Sequence, residues 1–125
     1  MLVGPRAKAY PIYAARSKQA IQHAIRVIRA SELAPYVTGL YLYGSCARKE
    51  QRFDSDVDLL LELSDNIDQE KYHDAILDLW GAVMPVDLTI PEVDLQIVIG
   101  HSWTENPMLY YQNVRKDGIQ IWKMA

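Results

Sequence analysis

The stretch Val57-Asp58-Leu59-Leu60-Leu61-Glu62-Leu63 constrains the chain more than any other. All but two of its residues are branched aliphatics. Successive side chains of a strand point to opposite faces, so a near-continuous apolar run needs cover on both sides. That predicts a buried central strand over 57–63 in a layered α/β arrangement.

The flanking segments supply the layers. Ile21, Ala24, Ile25 and Ile28 recur at helical spacing, which predicts a helix over 17–33 with Ser17 as its N-cap and Pro35 at its end. Val37 to Tyr43 reads as a strand containing Gly39, interrupted by Gly44-Ser45, with a short helical turn over 47–51. After the turn residues Ser64-Asp65-Asn66, a helix over 68–82 keeps Tyr72, Ile76, Leu79 and Val83 on one face. Val86 to Ile90 reads as a strand stopped by Pro91, while residues 92–105 stay open between a short helix and a strand near Leu95 to Ile99. A helix from Pro107 to Lys116, ended by Gly118, leads into a final strand over 119–122. Residues 1–15, with Gly4, Pro5 and Pro11, show little periodicity and read as an N-terminal arm before a domain over 16–125. The order is α-β-(short α)-β-α-β-α-β, an α/β (α+β) domain with a small mixed sheet flanked by helices. The tripeptide Val-Asp-Leu occurs at 57–59, 86–88 and 93–95.

Composition narrows the function. A chain of 125 residues, half of them hydrophobic, fits one domain with its own core. Its 13 basic and 16 acidic residues give a formal net charge of −3, which argues against non-specific binding to nucleic acid. Cys46 is the one cysteine, so no internal disulfide is possible, and a reducing cytoplasm is the expected setting. No cationic start leads into an apolar run, and no stretch reaches the roughly 20 apolar residues that span a bilayer, so neither signal peptide nor membrane segment is expected. His23, His73 and His101 lack zinc-like spacing. Tyr41, Tyr43, Trp80, Trp103 and Trp122 read as packing residues.

Chemistry concentrates between residues 44 and 59. Asp56 and Asp58 stand two apart on a strand and project to one face. Such a pair repels itself unless a cation compensates, and Mg²⁺ favours one or two carboxylates together with phosphate oxygens. Upstream, Gly44-Ser45 follows one strand and precedes a helical turn. Glycine lets backbone approach a phosphate, N–H groups at a helix start favour an anion, and the Ser45 hydroxyl adds a hydrogen bond. The Asp-x-Asp alone reads equally well as solvated acids, and the Gly-Ser alone reads better as an ordinary turn; the joint pattern sets phosphate donors beside metal-binding carboxylates. Arg48 either adds charge to that site or lies on a solvated helix face. Cys46 reads as a half-buried filler of the motif.

The segment resembles the G-S-x10-D-x-D signature of the DNA polymerase β-like nucleotidyltransferases. Within them it is closest to the minimal nucleotidyltransferases, through Gly44-Ser45-x-Ala47-Arg48, Ser55-Asp56-x-Asp58-Leu59 and the closing Gly118-Ile119-Gln120-Ile121-Trp122. Lys49 departs from the subgroup, which commonly has glycine there, and residues 1–15 fall outside the likeness. The resemblance implies a nucleotidyltransferase fold and a third carboxylate on a neighbouring strand. Glu62 lies roughly 13 Å along the strand from Asp58, too far to share an ion, and Asp54 reads as a turn residue. Asp87 is favoured over Asp94 by its position after the long helix. The implied roles are two Mg²⁺ ions on Asp56, Asp58 and Asp87, and ATP phosphates on Gly44, Ser45 and Arg48. The implied activity is transfer of AMP to a hydroxyl, most naturally a tyrosine of a partner HEPN-domain toxin, with this chain as antitoxin. Two alternatives are an antitoxin that neutralises by contact alone and a small-molecule nucleotidyltransferase.

Overall fold

Strand β2 (Val57–Leu63) takes the central position that its composition demands. In the computed structural model, which describes residues 5–48 and 56–122, it is bonded on both edges. Its antiparallel neighbour is β1 (Val37–Tyr43), and its parallel neighbour is β3 (Val93–Ile99). A fourth strand, β4 (Ile119–Trp122), pairs antiparallel with the free edge of β1, so the order is β3-β2-β1-β4. The sheet is small and mixed, as predicted, and β1, β2 and β4 have the predicted bounds.

The helices divide between the two faces. Val57, Leu59, Leu61 and Leu63 pack against Ala20, Ala24 and Ile28 of α1 (Pro5–Ala30) and against Leu79 of α3 (His73–Ala82) and Val83 after it. Leu60 points the other way, to Tyr43, to Trp103 in a 3-10 turn over Ser102–Glu105, and to Val114 of α4 (Leu109–Asp117). Even-numbered positions of β2 therefore belong to the α4 face, which is where Asp58 lies.

Glu62 shares that face and is buried. Thr38 Oγ1 donates to it at 2.6 Å, Trp103 Nε1 donates to it, and His101 Nδ1 lies 2.9 Å away. Burial pushes its carboxyl up, but these hydrogen bonds outweigh burial and hold it below the usual carboxylate range. Glu62 thus pins the 102–105 turn to the sheet.

Several boundaries differ from the sequence reading. Helix α1 begins at Pro5, so the described part of the predicted arm is helical. Pro5 opens the helix, where its missing N–H costs nothing, and Pro11 sits within it at the loss of one backbone bond. Ser17 is no N-cap; it is buried in mid-helix. The helix ends before Pro35 because the Ser31 hydroxyl donates to the Ile28 carbonyl at 2.7 Å and accepts from Leu33 N. α3 starts five residues later than predicted, after a series of turns in which the Asp68 carboxylate accepts from Lys71 N.

The largest difference is residues 86–90, which form a loop rather than a strand. Asp87 Oδ1 accepts from both the backbone N and the hydroxyl of Thr89, at 2.9 and 2.7 Å, closing a turn that competes with strand pairing. Val86 and Leu88 are almost fully exposed. The third strand is the segment left open by the sequence, Val93–Ile99. Among the described residues no helix is long and apolar enough to cross a membrane.

Candidate active site

The site forms where three strands end together. Asp58 pairs with Tyr43 of β1 on one side and with Asp94 of β3 on the other. Two copies of the repeated tripeptide meet in the second pairing: Val57, Asp58 and Leu59 lie in register with Val93, Asp94 and Leu95. Both copies bury their outer residues and turn their aspartates to the opposite face. Asp56 is exposed at the mouth of β2, Asp58 is half-buried, and Asp94 is exposed on the edge strand.

These charges act on one another. The Asp58 carboxyl is pushed up to about 6, first by burial, then by the neighbouring carboxylates of Asp94 and Asp56, with Arg48 opposing. A carboxylate held among like charges is the electrostatic signature of a site that gains from a cation. The donors are hard oxygens, which fit Mg²⁺ or a similar divalent ion. Among the described residues no three His, Cys, Asp or Glu side chains already stand close enough to hold a metal, so a cation would draw Asp56, Asp58 and Asp94 together.

The chain turns sharply against this cluster. Gly44 follows β1 with φ of +76°, in the left-handed region that favours glycine, and opens the single turn α2 (Gly44–Ala47). A Cβ at Gly44 would stand 2.3 Å from Asp58 Oδ2. The glycine is therefore required twice, by its backbone angle and by the carboxylate packed on it. Ser45 follows in the same turn and is half-buried.

Cys46 is buried and ties the turn to its surroundings. Its Sγ lies 3.7 Å from Ser17 Oγ of α1 and 3.6 Å from the carbonyl oxygen of Asp56. Burial pushes its thiol up, away from the thiolate, so the residue is a brace rather than a nucleophile. Arg48 caps the turn, its N donating to the Gly44 carbonyl, and its Nη1 donates to Asp117 Oδ2 of α4 at 3.1 Å. The helical turn predicted over 47–51 lies earlier, at Gly44–Ala47, while residues 49–51, with the departure at Lys49, and the alternative acid Asp54 lie outside the described residues.

Of the residues predicted from sequence, Gly44, Ser45, Arg48, Asp56 and Asp58 are brought together. Asp87 is not. Its loop lies against α1, lining a hollow with Gln19, Gln22 and Arg26, whereas Asp58 faces α4. The Asp87 carboxyl is held low first by the Thr89 hydroxyl, then by the Thr89 backbone N. Asp94, not Asp87, stands in register beside Asp58. Strand alternation over 93–97, buried at 93 and 95 and exposed at 94 and 96, was the available signal. Asp117, on the last turn of α4, was missed altogether.

Residues 26–123 match the family model described as Polymerase beta, Nucleotidyltransferase. The chain belongs to this family. The nucleotidyltransferase fold is shared with solved structures at low identity. A candidate nucleotidyltransferase from Sulfolobus solfataricus aligns over 98% of this chain and 90% of its own, at 15% identity and a TM-score of 0.53. A toxin–antitoxin structure with AMP-PNP aligns over 82% of this chain and 73% of its own, at 22% identity and a TM-score of 0.51. A variant of the toxin–antitoxin MntA-HpeT gives 20% identity, the same coverages and a TM-score of 0.51. No curated protein sequence matches this nucleotidyltransferase.

Proposed function

We propose that this nucleotidyltransferase moves AMP from ATP to a hydroxyl group of a partner protein, acting as the antitoxin of a toxin–antitoxin pair. The acceptor is a tyrosine of a HEPN-domain toxin. The observation that carries the reaction is the packing of Gly44 on the Asp58 carboxylate with Asp94 in register beside it. That arrangement sets the glycine–serine turn directly against an acidic cluster. The toxin partner is supported by the likeness to toxin–antitoxin structures, one of them with AMP-PNP.

Asp56 and Asp58 would hold two Mg²⁺ ions, and Asp94 would complete one of them. When bound, the ions neutralise charge on the phosphates and make a hydroxyl easier to deprotonate. The chain's own residues do the rest. The Gly44 backbone and the Ser45 hydroxyl bind the β- and γ-phosphates, and Arg48 adds positive charge beside them. The α-phosphorus is then left facing the aspartates. The acceptor oxygen bonds to that phosphorus, the bond to the bridging oxygen breaks, and pyrophosphate leaves with the electron pair. The hydroxyl proton passes to Asp94, at the open edge of the sheet where a protein acceptor has access.

Mass spectrometry of the toxin after incubation with the chain, Mg²⁺ and ATP tests this reading. The toxin mass should rise in steps of one AMP unit. A toxin that is neutralised without any mass change would replace the reading with contact-only inhibition.

A further inference from the structure

A cleft of about 410 Å³ opens beside the glycine–serine turn. Tyr43, Gly44 and Arg48 line one side, and Asn113, Lys116 and Asp117 of α4 line the other. The proposed reaction so far uses only the first wall. We propose that the last turns of α4 form the second wall of the nucleotide site: Lys116 and Asn113 bind oxygens of the distal phosphates, and Asp117 positions Arg48 toward them. This rests on the nucleotidyl-transfer reading above.

Three observations carry it. The first is adjacency. Gly44 lines the cleft and also carries the Asp58 carboxylate against its Cα, so whatever fills the cleft lies next to the acidic cluster.

The second is charge. The acids gather on one side of Gly44, whereas the cleft holds two cations, Arg48 and Lys116, and one carboxylate, Asp117, that is already bonded to Arg48. Lys116 makes no ion pair among the described residues. A chain of phosphates that meets carboxylate-bound metal at one end needs cations at the other. The Asp117 pair fixes the direction of the guanidinium, which matters because its donors form a rigid fork.

The third is the way α4 is held. Asn113, Lys116 and Asp117 fall at i, i+3 and i+4, on one helix face. Val114 is buried against Tyr43 and Leu60, and Arg115 turns away to donate to the carbonyls of Trp103 and Asn106 at 2.8 and 2.9 Å. The helix stops at Gly118, where a Cβ would stand 2.3 Å from the Val114 carbonyl oxygen. Anchored at both these points, α4 keeps its polar face on the cleft.

Calorimetric titration of the full chain with AMP-PNP and Mg²⁺, and separately with AMP, tests the proposal. Lys116→Gln should weaken AMP-PNP binding by roughly 10- to 100-fold, the worth of a hydrogen bond to a charged group. AMP, which lacks the distal phosphates, should bind wild type and Lys116→Gln alike. Asp117→Asn should weaken AMP-PNP, and Asp117→Glu should restore most of the affinity. Wild-type binding of AMP-PNP that Lys116→Gln leaves unchanged would overturn the α4 wall alone. Failure of the wild type to bind AMP-PNP at all would overturn both the wall and the nucleotide reading beneath it.

Discussion

Gly44 and Asp58 are packed so closely that only hydrogen fits between them: a Cβ on Gly44 would meet Asp58 Oδ2 at 2.3 Å. The carboxylate is the movable partner, so Gly44→Ala should cost the fold little and the site much. The left-handed angle itself costs about 1–2 kcal/mol for a residue with a side chain. Beyond that, Asp58 must rotate out of place. We expect a modest fall in Tm with transfer activity lost by orders of magnitude. Near-normal activity in this variant would mean that the Asp58 position seen here is not the working one.

Asp58 also sets a pH dependence. Its carboxyl in the folded chain lies at about 6, above the ordinary value of 3.8. The fold therefore binds this proton more tightly than the unfolded chain does. Its contribution to the stability of the metal-free protein is greatest below the ordinary value, declines as pH rises through about 6 and is flat beyond. Asp58→Asn should abolish that decline, melt above wild type at neutral pH without metal, and be inactive. By the same proton competition, divalent-ion binding to the wild type should weaken as pH falls below about 6. Melting curves against pH decide the first point, and an unchanged slope in Asp58→Asn would refute it.

Asp94 and Asp87 offer a paired test of the third carboxylate. Asp94→Asn should depress turnover by orders of magnitude while nucleotide affinity changes little. Asp87→Asn, in a loop against α1, should leave turnover within about twofold and cost no more than a turn hydrogen bond, about 0.5–1.5 kcal/mol. Single-turnover kinetics with saturating ATP distinguish the two. The reverse pattern would restore the assignment made from sequence.

The difference between those two aspartates shows what the sequence carries. Both follow valine and precede leucine, and both lie near a proline, Pro85 or Pro91. What separates them is partly local: the Thr89 hydroxyl and backbone N capture Asp87 in a turn. The rest is tertiary, because only Val93–Ile99 finds the edge of β2. β1, β2 and β4 were readable because burial on both faces, or a flanking glycine, leaves a strong local pattern. The start of α1 was not, because Pro5 and Pro11 are breakers by propensity and yet lie within the helix. Gly44, Ser45, Asp56 and Asp58 stand within fifteen residues of each other, so spacing revealed them. Asp117 reaches Arg48 from 69 residues away, and no linear spacing announces that contact.

Glu62 provides a control on the same face of β2, remote from the reacting atoms. Glu62→Ala would orphan the buried Trp103 N–H, at about 1–3 kcal/mol, while the exposed Thr38 hydroxyl keeps the Glu62 carbonyl as an acceptor. Because its carboxyl is held low in the fold, its contribution is present above the ordinary carboxylate range and lost as pH falls through the folded value. Glu62→Ala should therefore melt below wild type at neutral pH and lose that deficit in acid. At temperatures well below its Tm it should still bind AMP-PNP. Loss of nucleotide binding in a folded Glu62→Ala chain would show that this network reaches the site.

The central claim is transfer of the nucleotidyl group, and the position of the label in ATP tests it most directly. The chain, the proposed toxin partner and Mg²⁺ should be incubated with ATP labelled at the α-phosphate and, separately, at the γ-phosphate. In the proposed reaction Gly44 and Ser45 hold the distal phosphates, which leaves the α-phosphorus facing the aspartates. Label from the α-position should appear on the toxin, label from the γ-position should leave as pyrophosphate, and Asp58→Asn should transfer neither. Toxin labelled from the γ-position, as a kinase would give, or no label with a toxin that the chain still neutralises, would contradict the account.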